Sequence, residues 1–198
     1  SDNAKAVFGA GSDLQIYHDP LNGSIIKDNG AGRLLLDSTD GTGISLTSGG
    51  IAKTMISATK DSDVKLYHNG SEKLATTATG VAITGAVKPT TYQETYVASS
   101  AASTVTLDLA TGTSFSLTMD QATTFAFSNP PGSGTAFSFT LFLTQHSTAV
   151  AITWPNTVDW AGGSAPDAAA ANEVQAYAFF TRDGGTTYYG FLGGTAIA

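Results

Sequence analysis

Serine, histidine and carboxylates are the side chains from which hydrolytic sites are built, and this sequence contains all three. A nucleophile triad needs a serine within reach of a histidine and an acid. Serines are plentiful, but His18, His68 and His146 are the only histidines, and no G-x-S-x-G turn accompanies them. Glycoside cleavage needs two carboxylates at a controlled separation. Asp108, Asp120, Asp159, Asp167, Glu173 and Asp183 are available, but no spacing pairs any two of them, and Asp183 opens the turn Asp183-Gly184-Gly185, a place for a solvated or capping acid. The glycine stretches Gly9–Gly11 and Gly162–Pro166 lack the lysine and following helix of a phosphate loop. The expectation is that the chain is not an enzyme.

Two further groups could bind without reacting. His18 and His68 occupy the same place in a repeated phrase, and on a threefold axis repeated imidazoles can hold a transition metal. Neighbouring strand residues point to opposite faces, so the Tyr and His of one phrase cannot both face such an axis. A surface histidine is the reading kept, and neither metal nor cofactor is expected. Trp154 and Trp160 flank the stretch PNTVD. Large aromatics beside Asn and Asp stack on sugar rings. The plainer alternative is a core tryptophan at each end of a loop. It prevails at Trp154, which ends an alternating strand, and the two readings stand level at Trp160.

What must position these residues is read from composition and repeats. The chain has 198 residues, 41% hydrophobic and only 13% charged, against roughly 25% charged in an ordinary domain. Gly, Ser, Thr and Ala fill the difference, a mixture that suits short strands and tight turns. The net charge of −7 disfavours nucleic acid and anionic membrane, and no apolar run is long enough to cross a bilayer. There is no cysteine. The chain opens on Ser1 rather than Met, which leads one to expect processing or a fragment.

The phrase SDLQIYHDP begins at Ser12 and SDVKLYHNG at Ser62. A phrase written twice predicts a structural unit built twice. The chemistry changes near Pro89. Before it lie all seven lysines and Arg33 against nine acids, and only three aromatics, Phe8, Tyr17 and Tyr67. From Pro89 onward there is Arg182 against seven acids, with both tryptophans and all other aromatics. Two domains are therefore expected, residues 1–88 and 89–198.

The first predicts as very short strands, DLQIYH, RLLLDS, GISLTS, KTMISAT, DVKLYH, EKLATT and GVAITG, each offering two or three aliphatic side chains. So thin a stripe buries little in one copy. Association of three copies around a common axis, an intertwined trimeric region of β-prism or β-helix type, is the expected remedy. A single-chain solenoid is the other. The second domain alternates Phe125 with Phe127, and Phe137 with Phe139 and Leu141. Seven or eight longer antiparallel strands, with turns at Asn129–Gly134 and Asp183–Gly185, predict a β-sandwich or jelly roll. The one helix-like stretch is APDAAAANEV, residues 165–174. The fold class expected is all-β.

The segment KAVFGAGSDLQIYHD, followed by LYHNGSEKLATTATGVAITG, resembles a stretch recurrent in tail fibres and other virion structural proteins of tailed bacteriophages, particularly the marine type. The resemblance covers roughly residues 3–85. The second half, with FSNPPGSGTAFSFTLFLT, ITWPNTVDWAGGSAP and TRDGGTTYYGFLGG, resembles a C-terminal β module of phage tail proteins. The sequence departs from the pattern at Pro20, where a glycine is common, and the stretch before the first phrase is too short to be expected to hold a tail-attachment domain, as in a distal piece of a longer protein. The resemblance implies a homotrimer, a place in the virion tail, other virion proteins as partners, and a host cell-surface receptor. The loops Asn156–Ser164, Asn129–Gly134 and Asp183–Thr187 would then carry contacts to a glycan, with Asn156, Asp159, Trp160, Asp183 and Tyr188 as the candidate receptor-binding residues. Two other functions compete. One is a purely structural virion part, such as a tail adaptor, nozzle decoration or head fibre. The other is a polysaccharide-degrading tailspike.

Overall fold

The structure is a computed structural model that describes residues 4–38, 41–49 and 53–197; Ser1 lies outside them. Among the described residues every regular element is a strand, and no helix is long and apolar enough to cross a membrane. The chain divides into two compact units, Ser1–Pro89 and Thr90–Ala198.

The first unit is two antiparallel meanders. β1 (Lys5–Phe8), β2 (Leu14–Asp19) and β3 (Gly23–Asp28) form a three-stranded sheet. β4 (Gly43–Thr47), β5 (Thr54–Thr59), β6 (Val64–His68), β7 (Ser71–Thr77) and β8 (Gly80–Ile83) form a five-stranded one. The repeated phrase is the centre of both: β2 lies between β1 and β3, and β6 lies between β5 and β7. The duplication in sequence is thus a duplicated meander, each turning back after its Tyr-His pair. Asp19 accepts hydrogen bonds from the Leu21 and Asn22 amides in the first turn, and Asn69 and Gly70 take left-handed conformations in the second. RLLLDS, expected as a strand, is irregular, and Leu34, Leu35 and Leu36 are all exposed. A run of three leucines gives no alternation, so no sheet face favours it.

The second unit has two sheets around one core. β9 (Tyr96–Ser99), β11 (Ser114–Thr118), β13 (Phe137–Thr144), β15 (Val158–Trp160), β16 (Val174–Thr181) and β17 (Tyr188–Ile197) make a six-stranded sheet of order β15-β17-β16-β13-β11-β9. β10 (Thr104–Asp108), β12 (Thr123–Ser128) and β14 (Ile152–Thr153) make a three-stranded one. The sheets meet face to face: Phe127 of β12 packs edge-on against Phe139, Phe179 and Tyr188 of the larger sheet, with centroids 5.0–5.1 Å apart for Phe139, Phe179 and Tyr188 alike. Leu107, Phe115, Leu117, Phe139, Leu141 and Tyr177 are almost fully enclosed.

The strand directions correct the antiparallel expectation. β9 pairs with β11, β11 with β13, β10 with β12, and β12 with β14, all parallel. Each successive strand from β9 to β14 crosses to the other sheet, so the chain winds around the core and returns one place over. Parallel neighbours need a long crossover, and here the intervening strand of the opposite sheet supplies it. Only β16, pairing antiparallel with β13 and β17, closes the winding as a hairpin. Leu109 and Met119, in the connections, remain buried. These connections cross between the sheets instead of turning back as hairpins, and Leu109 and Met119 face the core from them while most of their other residues are exposed.

The helix expected at residues 165–174 is absent. Those residues are irregular up to Asn172, and Val174 begins β16. Buried Gln175 accepts the Ala169 amide through Oε1 at 2.9 Å and donates through Nε2 to the Asp167 carbonyl at 2.9 Å, while Asn172 sits at φ +63°. A side chain has taken up the backbone groups that a helix would have paired with one another.

Candidate functional site

The three segments singled out as binding loops converge at one end of the second unit. The Tyr188 amide donates to the Thr157 carbonyl, so the turn at Asn156-Thr157 lies beside the start of β17. The Gly134 amide donates to the Arg182 carbonyl, which seats Asn129–Gly134 against the Asp183 turn. A methyl group on Gly185 would come within 2.7 Å of Pro130 Cγ, so this contact is tight.

The individual side chains divide sharply. Residues 158–160 are a strand, so the expected loop Asn156–Ser164 is broken by β15. Trp160 points inward and is only 9% exposed; Tyr188 is 3% exposed. Trp160 fits because its strand neighbour is Gly190, where an added Cβ would lie 2.7 Å from the indole Cε3. Neither ring is offered to a ligand, which corrects the receptor-binding reading of both. Trp154 is half-buried, stacked on Phe125 with centroids 4.9 Å apart and planes 15° apart. Asp183 is occupied locally: its carboxylate accepts the Thr187 amide at 3.0 Å and the Thr181 hydroxyl at 3.1 Å. The Thr187 amide is the main cause that holds this carboxyl below the ordinary carboxylate value. Asp183 is a turn-capping acid. Asn156 and Asp159 are exposed.

Alternation along β15 and β17 decides what stands beside Asp159. Parallel register pairs Val158 with Tyr188 and Trp160 with Gly190 on the inner face, and Asp159 with Tyr189 on the outer face. Tyr189 in turn pairs with Phe180, and Phe180 with Ser138. One outer row therefore reads Asp159, Tyr189, Phe180, Ser138 across four strands. The Tyr189 and Phe180 rings lie side by side, centroids 6.4 Å apart and planes 32° apart. Exposed Phe191 continues the same face one row along, opposite Ala178.

A shallow aromatic shelf edged by a carboxylate can stack on the C–H face of a sugar and accept its hydroxyl protons at the rim. Sequence reading placed Asp159 here but missed Tyr189 and Phe180. The signal was the doublet Tyr188-Tyr189: in a strand one member must face the core and the other must face out.

Elsewhere, His18 is exposed with Nδ1 3.3 Å from Ser24 Oγ, and His68 is exposed as well. Among the described residues no three His, Cys, Asp or Glu side chains are grouped to hold a metal ion. A 440 Å³ hollow in the first unit, lined by Leu36, Asp37, Ile44, Ala58, Thr59 and Lys60, is open and shares nothing with the shelf. No family model, no curated protein and no solved structure matches the chain.

Proposed function

We propose that this chain is a component of a tailed-phage virion, a homotrimeric tail fibre or spike, whose second unit attaches to a glycan on the host surface. The observation that carries the reading is the unequal burial of the two units. Among the described residues, Ala75 is the one buried hydrophobic residue of the first unit, whereas the second encloses a full aromatic core. A scaffold that is finished alone, joined to a region that is not, suits a head on an assembled shaft. Within the head, the shelf of Tyr189 and Phe180 with Asp159 at its edge is the surface whose chemistry fits a neutral polyhydroxyl ligand. The six acids in excess after residue 88 disfavour a strongly anionic one. The virion placement rests on the sequence resemblance.

The purified full chain is to be titrated against an array of bacterial lipopolysaccharides and capsular polysaccharides. Binding to at least one neutral glycan is expected, with Asp159→Ala and Tyr189→Ala each weakening it by about 10-fold or more, the loss of one charge-assisted hydrogen bond or one stacking ring. Binding left intact by both substitutions would overturn the shelf assignment. An array with no bound glycan would overturn attachment itself, leaving a structural virion part.

A further inference from the structure

Residues directly opposite each other in a sheet share a face. Across the five strands of the larger first-unit sheet, Leu46, Ile56, Leu66, Leu74 and Ile83 stand in one unbroken row. Val64 and Val81 extend the same face. One residue along each strand, the opposite face reads Ser45, Ser57, Lys65, Ala75 and Ala82. The three-stranded sheet repeats the arrangement with the row Ala6, Ile16, Ile26 against Val7, Gln15, Lys27.

The sheets are inside out for a solitary chain. Leu46, Ile56, Leu66, Ile83, Val64, Val81, Ile16 and Ile26 are between 37% and 57% exposed. The opposite faces carry polar groups paired with one another, although Val7 on one of them is also exposed. Lys65 Nζ lies 3.2 Å from Asp63 and 3.1 Å from Glu72. Lys5 donates to Gln15 at 2.9 Å and lies 4.4 Å over the Tyr17 ring. Among the described residues, the aliphatic rows lack a cover.

We infer that these aliphatic rows are the surface on which copies of this chain associate. Three observations select a second copy as the occupant. Every chain carries the row twice, so each copy brings the same apolar, uncharged strip to the contact. The first 88 residues hold eight positive against nine negative charges, so copies approach there without net repulsion, and no basic excess exists to draw an anionic lipid surface. Eight aliphatic side chains, each between 37% and 57% exposed, uncover several hundred Å² per chain, on the order of the roughly 800 Å² per partner of a standard interface. This inference deepens the self-association part of the reading above by naming its surface, and it is independent of glycan binding.

The chain has no cysteine, which makes a clean cross-linking test possible. Light scattering on the full chain at micromolar concentration is expected to show an oligomer. Under mild oxidation Leu66→Cys should form covalent pairs, while Ser57→Cys, on the opposite face of the neighbouring strand, should not. Leu66→Asp should raise the dissociation constant at least 100-fold while the near-ultraviolet signal of the second unit persists, and Ser57→Asp should leave association unchanged. A monodisperse wild-type monomer would overturn the inference, as would cross-linking through Ser57→Cys in place of Leu66→Cys. Loss of glycan binding with Leu66→Cys pairing retained would sink host attachment and leave this interface standing.

Discussion

Trp154 and Trp160, six residues apart in sequence, meet edge to face with centroids 5.2 Å apart and planes at 65°. Both also pack on Tyr177 and Phe179, so the two rings that sequence placed around a binding loop are one corner of the core. Trp160→Ala is therefore expected to destabilise the second unit by about 3–5 kcal/mol. Asp159→Ala, the next residue on the same strand but facing out, should change stability by no more than about 0.5 kcal/mol. Denaturant titration followed by tryptophan fluorescence and circular dichroism compares the two. Equal effects would contradict the inward and outward assignment of β15.

Gln175 holds the irregular segment that precedes it. Its Oε1 accepts both the Ala169 amide and the Tyr177 hydroxyl, and its Nε2 donates to the Asp167 carbonyl. Gln175→Leu keeps the volume but leaves these groups without partners, at a total cost of about 3 kcal/mol, the low end for three such losses because the segment lies near water. Chemical denaturation measures it. A cost below about 1 kcal/mol would mean that the segment is held by something else.

Tyr177 should make the second unit sensitive to alkali. Burial pushes its pKa from the ordinary 10.0 up to about 12, and its hydroxyl donates to Gln175 at 2.6 Å. The folded chain holds the phenolic proton more tightly than the unfolded chain does. The resulting stability is complete below about pH 10 and is lost as pH rises toward 12. Burial, then the Asp183 charge, raises Tyr188 in the same direction. Thermal melts from pH 9 to 12 should fall less steeply for Tyr177→Phe than for the wild type. At pH 7 the substitution should cost about 0.5–1.5 kcal/mol, one neutral hydrogen bond. Parallel curves would refute the role of this hydroxyl.

Of the three shelf residues only Asp159 was legible in the sequence. Asp159 was found because it stands in a polar stretch between two aromatics, and it is indeed exposed. Trp160 and Tyr188 were misread because a Trp or Tyr carries the same chemistry on either face of a strand. Their direction depends on Gly190 opening room beneath the indole and on the register of β15 with β17, a pairing between residues thirty positions apart. Tyr189 and Phe180 became neighbours through a different pairing, the local β16–β17 hairpin, in which they stand opposite each other.

By itself the sequence determined an all-β chain, because period-two alternation and Gly-rich turns are local properties of neighbouring residues. It also determined that the Tyr-His phrase marks a repeated unit, since like sequence forms like local pairing. Only the tertiary structure decided that the second unit winds between two sheets with parallel neighbours. A short connection such as residues 119–122 serves equally as a hairpin or as an arch, and the choice is made by what the next strand buries. Met119 turns inward at that arch and Phe125 lands on the opposite wall of the core, a long-range packing outcome that no local pattern encodes.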